Sequence, residues 1–314
     1  MERGSLRPAL ALAFVALGLT LAIAVLLLWR PGGASLPGAS PVIPPVPSGN
    51  LTILVGAGDI AECGDDDDEE TSDLVAGIPG TVFLAGDNAY SRGSLNEYRR
   101  CYQPSWGRFL DRTRPAPGNH EYETAGAAGY REYFGTRATP GGTTWYSWDA
   151  GEWHVVMLDS DCAAVGGCEA DSPQGQWLTA DLAASQARCT LAIWHHPRFS
   201  SGDHGNHEFM EPFWQILYDA NADLVISGHD HDYERFAPQD PAGVADNERG
   251  IREIVVGTGG AGLRPFKTIR ANSEVRDAKT HGVIRLALGP EGYSWDFVPV
   301  AGEAFTDSGS STCH

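Results

Sequence analysis

Five short apolar runs in this chain each end in a residue type that binds metal ions. LTILVGAG (51–58) leads into Asp59, and TVFLAG (81–86) into Asp87, with Tyr90 three residues on. TRPAPG (113–118) leads into Asn119 and His120, CTLAIW (189–194) into His195, and DLVISG (223–228) into His229 and His231. A short apolar stretch closed by glycine or a turn signal reads as a buried strand. Functional side chains in α/β folds gather where such strands end and loops open onto a crevice. One such ending is noise. Five of them, carrying carboxylate, phenol, amide and imidazole groups, predict a single site rich in oxygen and nitrogen ligands.

Strand-like runs alternate with helical segments up to about residue 230. Helices are expected over 174–187, capped by Ser172 with Pro173 in the first turn, and over 207–220. In the second, Phe209, Phe213, Ile216, Leu217 and Ala220 recur at helical spacing and are expected to face the core. Residues 143–160 read as a hairpin turning at Asp149-Ala150-Gly151. Beyond residue 230 the pattern is strand only, at 232–236, 251–256, 281–288 and 292–299. The expected class is α/β (α+β), with two mixed β-sheets packed face to face and helices outside.

The chain carries a formal charge of -19, and the acidic excess lies after residue 30. Such a surface repels a nucleic-acid backbone, so no nucleic-acid partner is expected. A phosphate-bearing substrate would need local positive charge, which bound metal ions supply. Residues 9–29 hold no charge and are long enough, at about 30 Å as a helix, to span a bilayer. Arg3 and Arg7 precede them, which places residues 1–8 in the cytoplasm. The alternative is a cleaved signal peptide, for which the run is long. The chain is therefore expected either as a single-pass protein of the cell membrane, held through its N-terminal helix, or as a secreted one. Residues 30–50, rich in proline and glycine, read as a stiff linker to a catalytic domain at 51–314. Six cysteines fit an oxidising compartment, and Cys162 with Cys168 forms the most obvious disulfide.

Gly86-Asp87-Asn88-Ala89-Tyr90, Gly118-Asn119-His120-Glu121 and Gly228-His229-Asp230-His231 together resemble the motif set of the calcineurin-like metallophosphoesterases. Within that superfamily the chain is similar to the purple acid phosphatases. Most members open with Asp-x-His. Here the opening is Asp59-Ile60-Ala61, and Tyr90 stands where it can replace the missing histidine, the exchange that marks the purple acid phosphatases. Their usual opening is Asp-x-Gly, so Ala61 is a departure, though one that removes no ligand atom.

The resemblance implies two metal ions. Asp59, Tyr90 and His231 would hold one, Asn119, His195 and His229 the other, and Asp87 would bridge them. Phenolate and carboxylate suit Fe3+, while amide and imidazole suit Fe2+, Zn2+ or Mn2+. The implied activity is acid-phosphatase-type hydrolysis of a small-molecule phosphomonoester by a water that the metals make nucleophilic, at acidic pH. His120 would orient the phosphate or protonate the leaving oxygen, or else only position Asn119. His204 and His207 either line the substrate pocket or belong to a solvated loop, and His196 stands behind His195. The same motifs would serve a phosphodiesterase or nucleotidase, and an inactive membrane-tethered binding protein is a third reading. Gly257–Gly262 matches G-x-G-x-x-G but lacks the helix that a dinucleotide site needs, so it reads as a tight turn near the site. Asp65–Glu70 reads as a solvated acidic loop. The tryptophans at 145, 148, 153 and 177 read as packing residues.

Overall fold

The computed structural model describes residues 49–314. The expected cytoplasmic segment, the apolar run at 9–29 and nearly all of the linker lie outside these residues. Among the described residues no helix is long and apolar enough to cross a membrane.

In chain order the strands are β1 (Thr52–Ala57), β2 (Thr81–Ala85), β3 (Thr113–Ala116), β4 (Tyr146–Ala150), β5 (Trp153–Met157), β6 (Cys189–Ile193), β7 (Leu224–Ser227), β8 (Tyr233–Phe236), β9 (Arg252–Val256), β10 (Ser273–Asp277), β11 (Gly282–Gly289), β12 (Gly292–Pro299) and β13 (Ser308–Thr312). One sheet runs β13-β12-β11-β1-β2-β3 and the other β10-β8-β9-β7-β6-β5-β4. Both are mixed. β1, β2 and β3 are parallel neighbours in the first, and β5, β6, β7 and β9 in the second.

Alternation along the second sheet shows why its strands are apolar throughout. Val155, Leu191, Ile193, Leu224, Ile226 and Ile254 face a core shared with Leu54, Val82, Leu84 and Leu286 of the first sheet. Val156, Ala192, Val225 and Val255 face the other way, onto Leu178, Phe213, Trp214 and Leu217 of the flanking helices. A strand covered on both faces has no solvent side to mark with polar residues. The expected arrangement of two mixed sheets with helices outside is the one observed.

Particular elements depart from expectation. The helix at Pro173–Ala184 stops short of 187, and Ser172 Oγ accepts the Gly175 amide at 3.1 Å as its cap. The helix expected over 207–220 is a 3-10 turn at Glu208–Met210 followed by an α-helix at Glu211–Asp219. The tighter turn rotates Phe209 off the apolar stripe, and its ring is 44% exposed. Ala220, past the helix end, is exposed as well. Asp65–Glu70 is not simply a loop, because Asp67–Gly77 is a helix whose first turn holds Asp67, Asp68, Glu69 and Glu70. Carboxylates are favourable there, next to free backbone N–H groups. Asp68 is buried and bound by the Ser105 hydroxyl.

Cys162 pairs with Cys168 as expected, Cys63 with Cys101, and Cys189 with Cys313. The last of these joins the start of β6 to the residue after β13, and so ties the edge strand of one sheet to the other sheet. Its partners are 124 residues apart, and a crosslink of that span restricts the unfolded chain by about 4–5 kcal/mol. The paired Cys189→Ser, Cys313→Ser variant is expected to melt roughly 10 °C lower by calorimetry. An unchanged melting temperature would show that this crosslink adds nothing to stability.

Candidate metal centre

β1, β2 and β3 end side by side at one rim of the first sheet, and β6 and β7 end side by side in the second. The loops that follow carry Asp59, Asp87, Asn119, His195 and His229. Tyr90 Oη donates to Asp59 Oδ1 at 2.8 Å, and lies 3.3 Å from Asp87 Oδ2 and 3.1 Å from His231 Nε2. His231 Nε2 is 3.4 Å from Asp59 Oδ1. Asp87 Oδ2 is 3.0 Å from His195 Nε2, which is 3.2 Å from His229 Nδ1. Asn119 sits in the adjoining turn, whose next amide, that of His120, donates to Asp87 Oδ1 at 2.9 Å. The fold therefore gathers these residues into one cluster, in which the His229 amide meets Asp59 from 170 positions along the chain.

Local backbone geometry serves this gathering. Asp59, Asp87 and His229 all have positive φ, at 60°, 50° and 71°. Residues other than glycine held there carry strain, and three in one cluster mark a functional site. Gly86 (φ 85°) must be glycine twice over, because a Cβ there would lie 2.6 Å from the His195 ring. The second ring nitrogens are fixed from behind. His195 Nδ1 faces the Ala85 carbonyl at 2.8 Å and His231 Nδ1 the Gly262 carbonyl at 2.8 Å, which turns each Nε2 toward the cluster. The Gly257–Gly262 segment lies at the site as expected, but as a bend over 259–261 rather than a hydrogen-bonded turn, its Gly259 and Ala261 amides donating to the Gly58 and Asp59 carbonyls.

The electrostatics are those of a cation site. Burial works against charge on Asp59, yet His195, His231 and Tyr90 hold its pKa at about 2. Burial likewise opposes a proton on His195, but Asp87 and Asp59 push it up to about 10. Burial, with Asp59 and Asp87, lifts the Tyr90 phenol well above its ordinary value. His229 is driven well below the usual histidine range by burial and by His195 and His196. Two carboxylates, a phenol and three imidazoles share a volume in which only protons or cations reconcile their lone pairs. The Asn119 Oδ1 atom is buried with no hydrogen-bond partner among the described residues. Such an oxygen costs about 1–3 kcal/mol unless something meets it. Ligand atoms of Asp59, Asp87 and His195 lie within 4.8 Å of one another, as do those of His195, His196 and His229. The donor set fits two adjacent metal ions.

His120 stands at the edge of the cluster. Its Nδ1 is 2.5 Å from the Ser91 carbonyl, its Nε2 is 3.8 Å from Asp87 Oδ2, and its ring is 4.5 Å from that of Tyr90. The rings of His204 and His207 lie 4.2 and 4.8 Å from that of His229. The structure thus brings both loop histidines to the cluster. His196 Nδ1 is 2.8 Å from Ser160 Oγ, and its ring is 4.3 Å from that of His229.

Two supporting carboxylates were not anticipated. Glu121 accepts the amides of Asp87, Asn88 and Gly118 and the Tyr98 hydroxyl, all within 3.0 Å. Asp230 binds the Ser200 hydroxyl and accepts the His204 amide at 2.8 Å, fixing the loop that carries His204. Both lie inside the motifs, at Gly118–Glu121 and Gly228–His231. Their position next to the ligand-type residues was the available signal.

Comparison with known proteins identifies the family. The sequence model of the calcineurin-like phosphoesterases matches residues 46–233. Purple acid phosphatase 15 of Arabidopsis thaliana is 32% identical over 201 residues, which cover 52% of this chain and 37% of that protein. Purple acid phosphatase 21 of the same plant is 32% identical over 222 residues, covering 60% and 48%. The chain thus spans less than half the length of these two relatives. Among solved structures, purple acid phosphatase PPD1 from yellow lupin (Lupinus luteus) seeds superposes with a TM-score of 0.67 at 19% identity, over 86% of this chain and 55% of that one. GAP50, the anchor in the inner membrane complex of Plasmodium, gives 0.60 at 15% identity, over 82% and 88%. At such identities the two structures speak for the fold alone. The matched span, covering more than half of the chain and every ligand-type residue of the cluster, makes this protein a member of the calcineurin-like phosphoesterase family.

Proposed function

We propose that this protein is a metal-dependent phosphoric monoester hydrolase of the acid-phosphatase type, with 51–314 as its catalytic domain. Asp59, Tyr90 and His231 would hold one ion, Asn119, His195 and His229 a second, and Asp87 both. The anionic first set suits Fe3+, and the neutral second set Fe2+, Zn2+ or Mn2+. When bound, such a pair activates a water and neutralises charge on the phosphoryl oxygens. The observation that carries this reading is the contact of Tyr90 Oη with Asp59, Asp87 and His231 within 3.3 Å. One phenol proton can serve only one of those two carboxylates.

The chain's own part is placement and proton transfer. His120, tethered at Nδ1 by the Ser91 carbonyl, presents Nε2 toward the cluster and would hold the proton that the leaving oxygen takes. His204 and His207 would border the phosphate on the His229 side. Three disulfides support an extracytoplasmic location, secreted or membrane-held. The Tyr90→Phe protein, loaded with iron, is expected to lose the visible phenolate-to-iron absorption while keeping its fold by circular dichroism. Colour that survives the substitution would remove Tyr90 from the ligand set. A tethered binding protein is the second reading, since GAP50, described as an anchor, shares the fold. Absence of turnover on both phosphomonoesters and diesters by protein with full metal content would favour it.

A further inference from the structure

Arg264 forms no ion pair among the described residues, in a chain where Asp and Glu number 41 against 22 Lys and Arg. Its Nη1 donates to His204 Nε2 at 2.7 Å. The Asp203 carboxylate, which feels its charge, is held by Lys267 at 2.6 Å. A guanidinium has five N–H hydrogens and never accepts. His204 Nε2 must therefore be the acceptor, and several N–H groups of Arg264 are left for another oxygen.

The position of this cation is built rather than incidental. Its backbone amide donates to the His231 carbonyl at 3.0 Å, and Gly262, two residues earlier, fixes the His231 ring. Downstream, the Lys267 amide donates to the Ser201 carbonyl at 3.0 Å, and Arg270 Nε to the Ser200 carbonyl at 3.1 Å. The 262–270 segment is thus laid along the loop that carries His204. The His204 ring that meets the guanidinium through Nε2 lies 4.2 Å from the His229 ring. The charge of Arg264 is also felt by His231, so the guanidinium lies at the edge of the cluster beside His204.

We propose that Arg264 is a specificity residue that binds a second phosphoryl group on the substrate, beyond the one hydrolysed. This deepens the phosphatase reading and rests on it. A guanidinium that spends one N–H on His204 has others to offer phosphoryl oxygens, which it can meet two at a time. In a chain of charge -19 a second phosphoryl group would otherwise be repelled. The preferred substrates are therefore condensed phosphates or esters bearing adjacent phosphoryl groups, rather than esters with a single phosphate and an uncharged alcohol.

The test uses the metal-loaded full chain with inorganic pyrophosphate and p-nitrophenyl phosphate, and the variants Arg264→Gln and Arg264→Lys. The ratio of kcat/KM for pyrophosphate over p-nitrophenyl phosphate is expected to fall about tenfold in Arg264→Gln and much less in Arg264→Lys, the scale of one lost charged contact. Calorimetric binding is expected to lose its preference for pyrophosphate over orthophosphate in the Gln variant alone. A ratio that stays constant, or two substrates that fall in parallel, would show that Arg264 merely supports His204 and would overturn the proposal. If the wild type turns over neither substrate, the phosphatase reading fails, and the calorimetric preference still decides whether Arg264 binds the second group.

Discussion

Asp87→Asn is expected to lower phosphomonoester turnover on the order of a thousandfold or more and to leave the protein unable to retain two metal ions. The two oxygens of Asp87 have different tasks. Oδ1 accepts the His120 amide at 2.9 Å, while Oδ2 faces His195 at 3.0 Å and Tyr90 at 3.3 Å. An asparagine has one oxygen to offer. The His120 N–H requires it at the Oδ1 position, so the amide NH2 takes the place of Oδ2. A nitrogen there has no lone pair for a cation, and it points donors at Tyr90 and His195. The substitution also removes one of the carboxylates that keep His195 protonated in the metal-free protein, where its pKa stands at about 10. Elemental analysis beside turnover of p-nitrophenyl phosphate gives the reading, with circular dichroism as the check on folding. More than a tenth of the wild-type rate, with metal content intact, would mean that Asp87 is not shared between two ions.

The residues of the cluster were legible because they stand at the ends of strands whose two faces are both buried. β1, β2, β6 and β7 announce themselves as unbroken apolar runs, and the chain then changes abruptly to polar side chains at the site. What was illegible had another physical origin. The helix at Asp67–Gly77 begins in a run of acids that reads as solvated loop, because its stabilisation comes from free backbone N–H groups and not from an apolar stripe. β13, Ser-Gly-Ser-Ser-Thr, has no apolar pattern. It is held as an edge strand by its backbone pairing with β12 and by the neighbouring Cys189–Cys313 crosslink. Phe209 carries the right spacing for the core but precedes Pro212 in a 3-10 turn, where that spacing no longer predicts direction. Arg264 follows a glycine-rich segment with no periodicity, and only the folded path sets it against His204.

Glu121 belongs to this second group, and its removal is the other large effect to expect. The side chain is fully buried, and no ligand role falls to it by resemblance or by geometry. It accepts the amides of Asp87 at 3.0 Å, Asn88 at 3.0 Å and Gly118 at 2.7 Å, and the Tyr98 hydroxyl at 2.8 Å. One carboxylate thereby joins the turn after β2 to the turn after β3, the two turns that carry Asp87, Tyr90 and Asn119. Burial and the adjacent Asp87 push its pKa upward, so the carboxylate resides here at an electrostatic cost that the four donors offset. In Glu121→Ala three buried N–H groups and a hydroxyl lose their acceptor together. At about 1–3 kcal/mol for each unsatisfied buried group, and with partial relief from entering water, the loss is roughly 4 kcal/mol, or about 10 °C in melting temperature. Because the freed turns move Asp87 and Asn119 relative to each other, retention of the second metal is expected to fall as well, although no ligand has been touched. Glu121→Gln keeps one acceptor oxygen and is expected to lie between Ala and wild type in both melting temperature and metal content. Were Glu121→Ala to melt within about 2 °C of wild type and hold both metals, the two turns would have to be positioned by something other than this carboxylate, and the strained backbones of Asp59 and Asp87 would be the place to look.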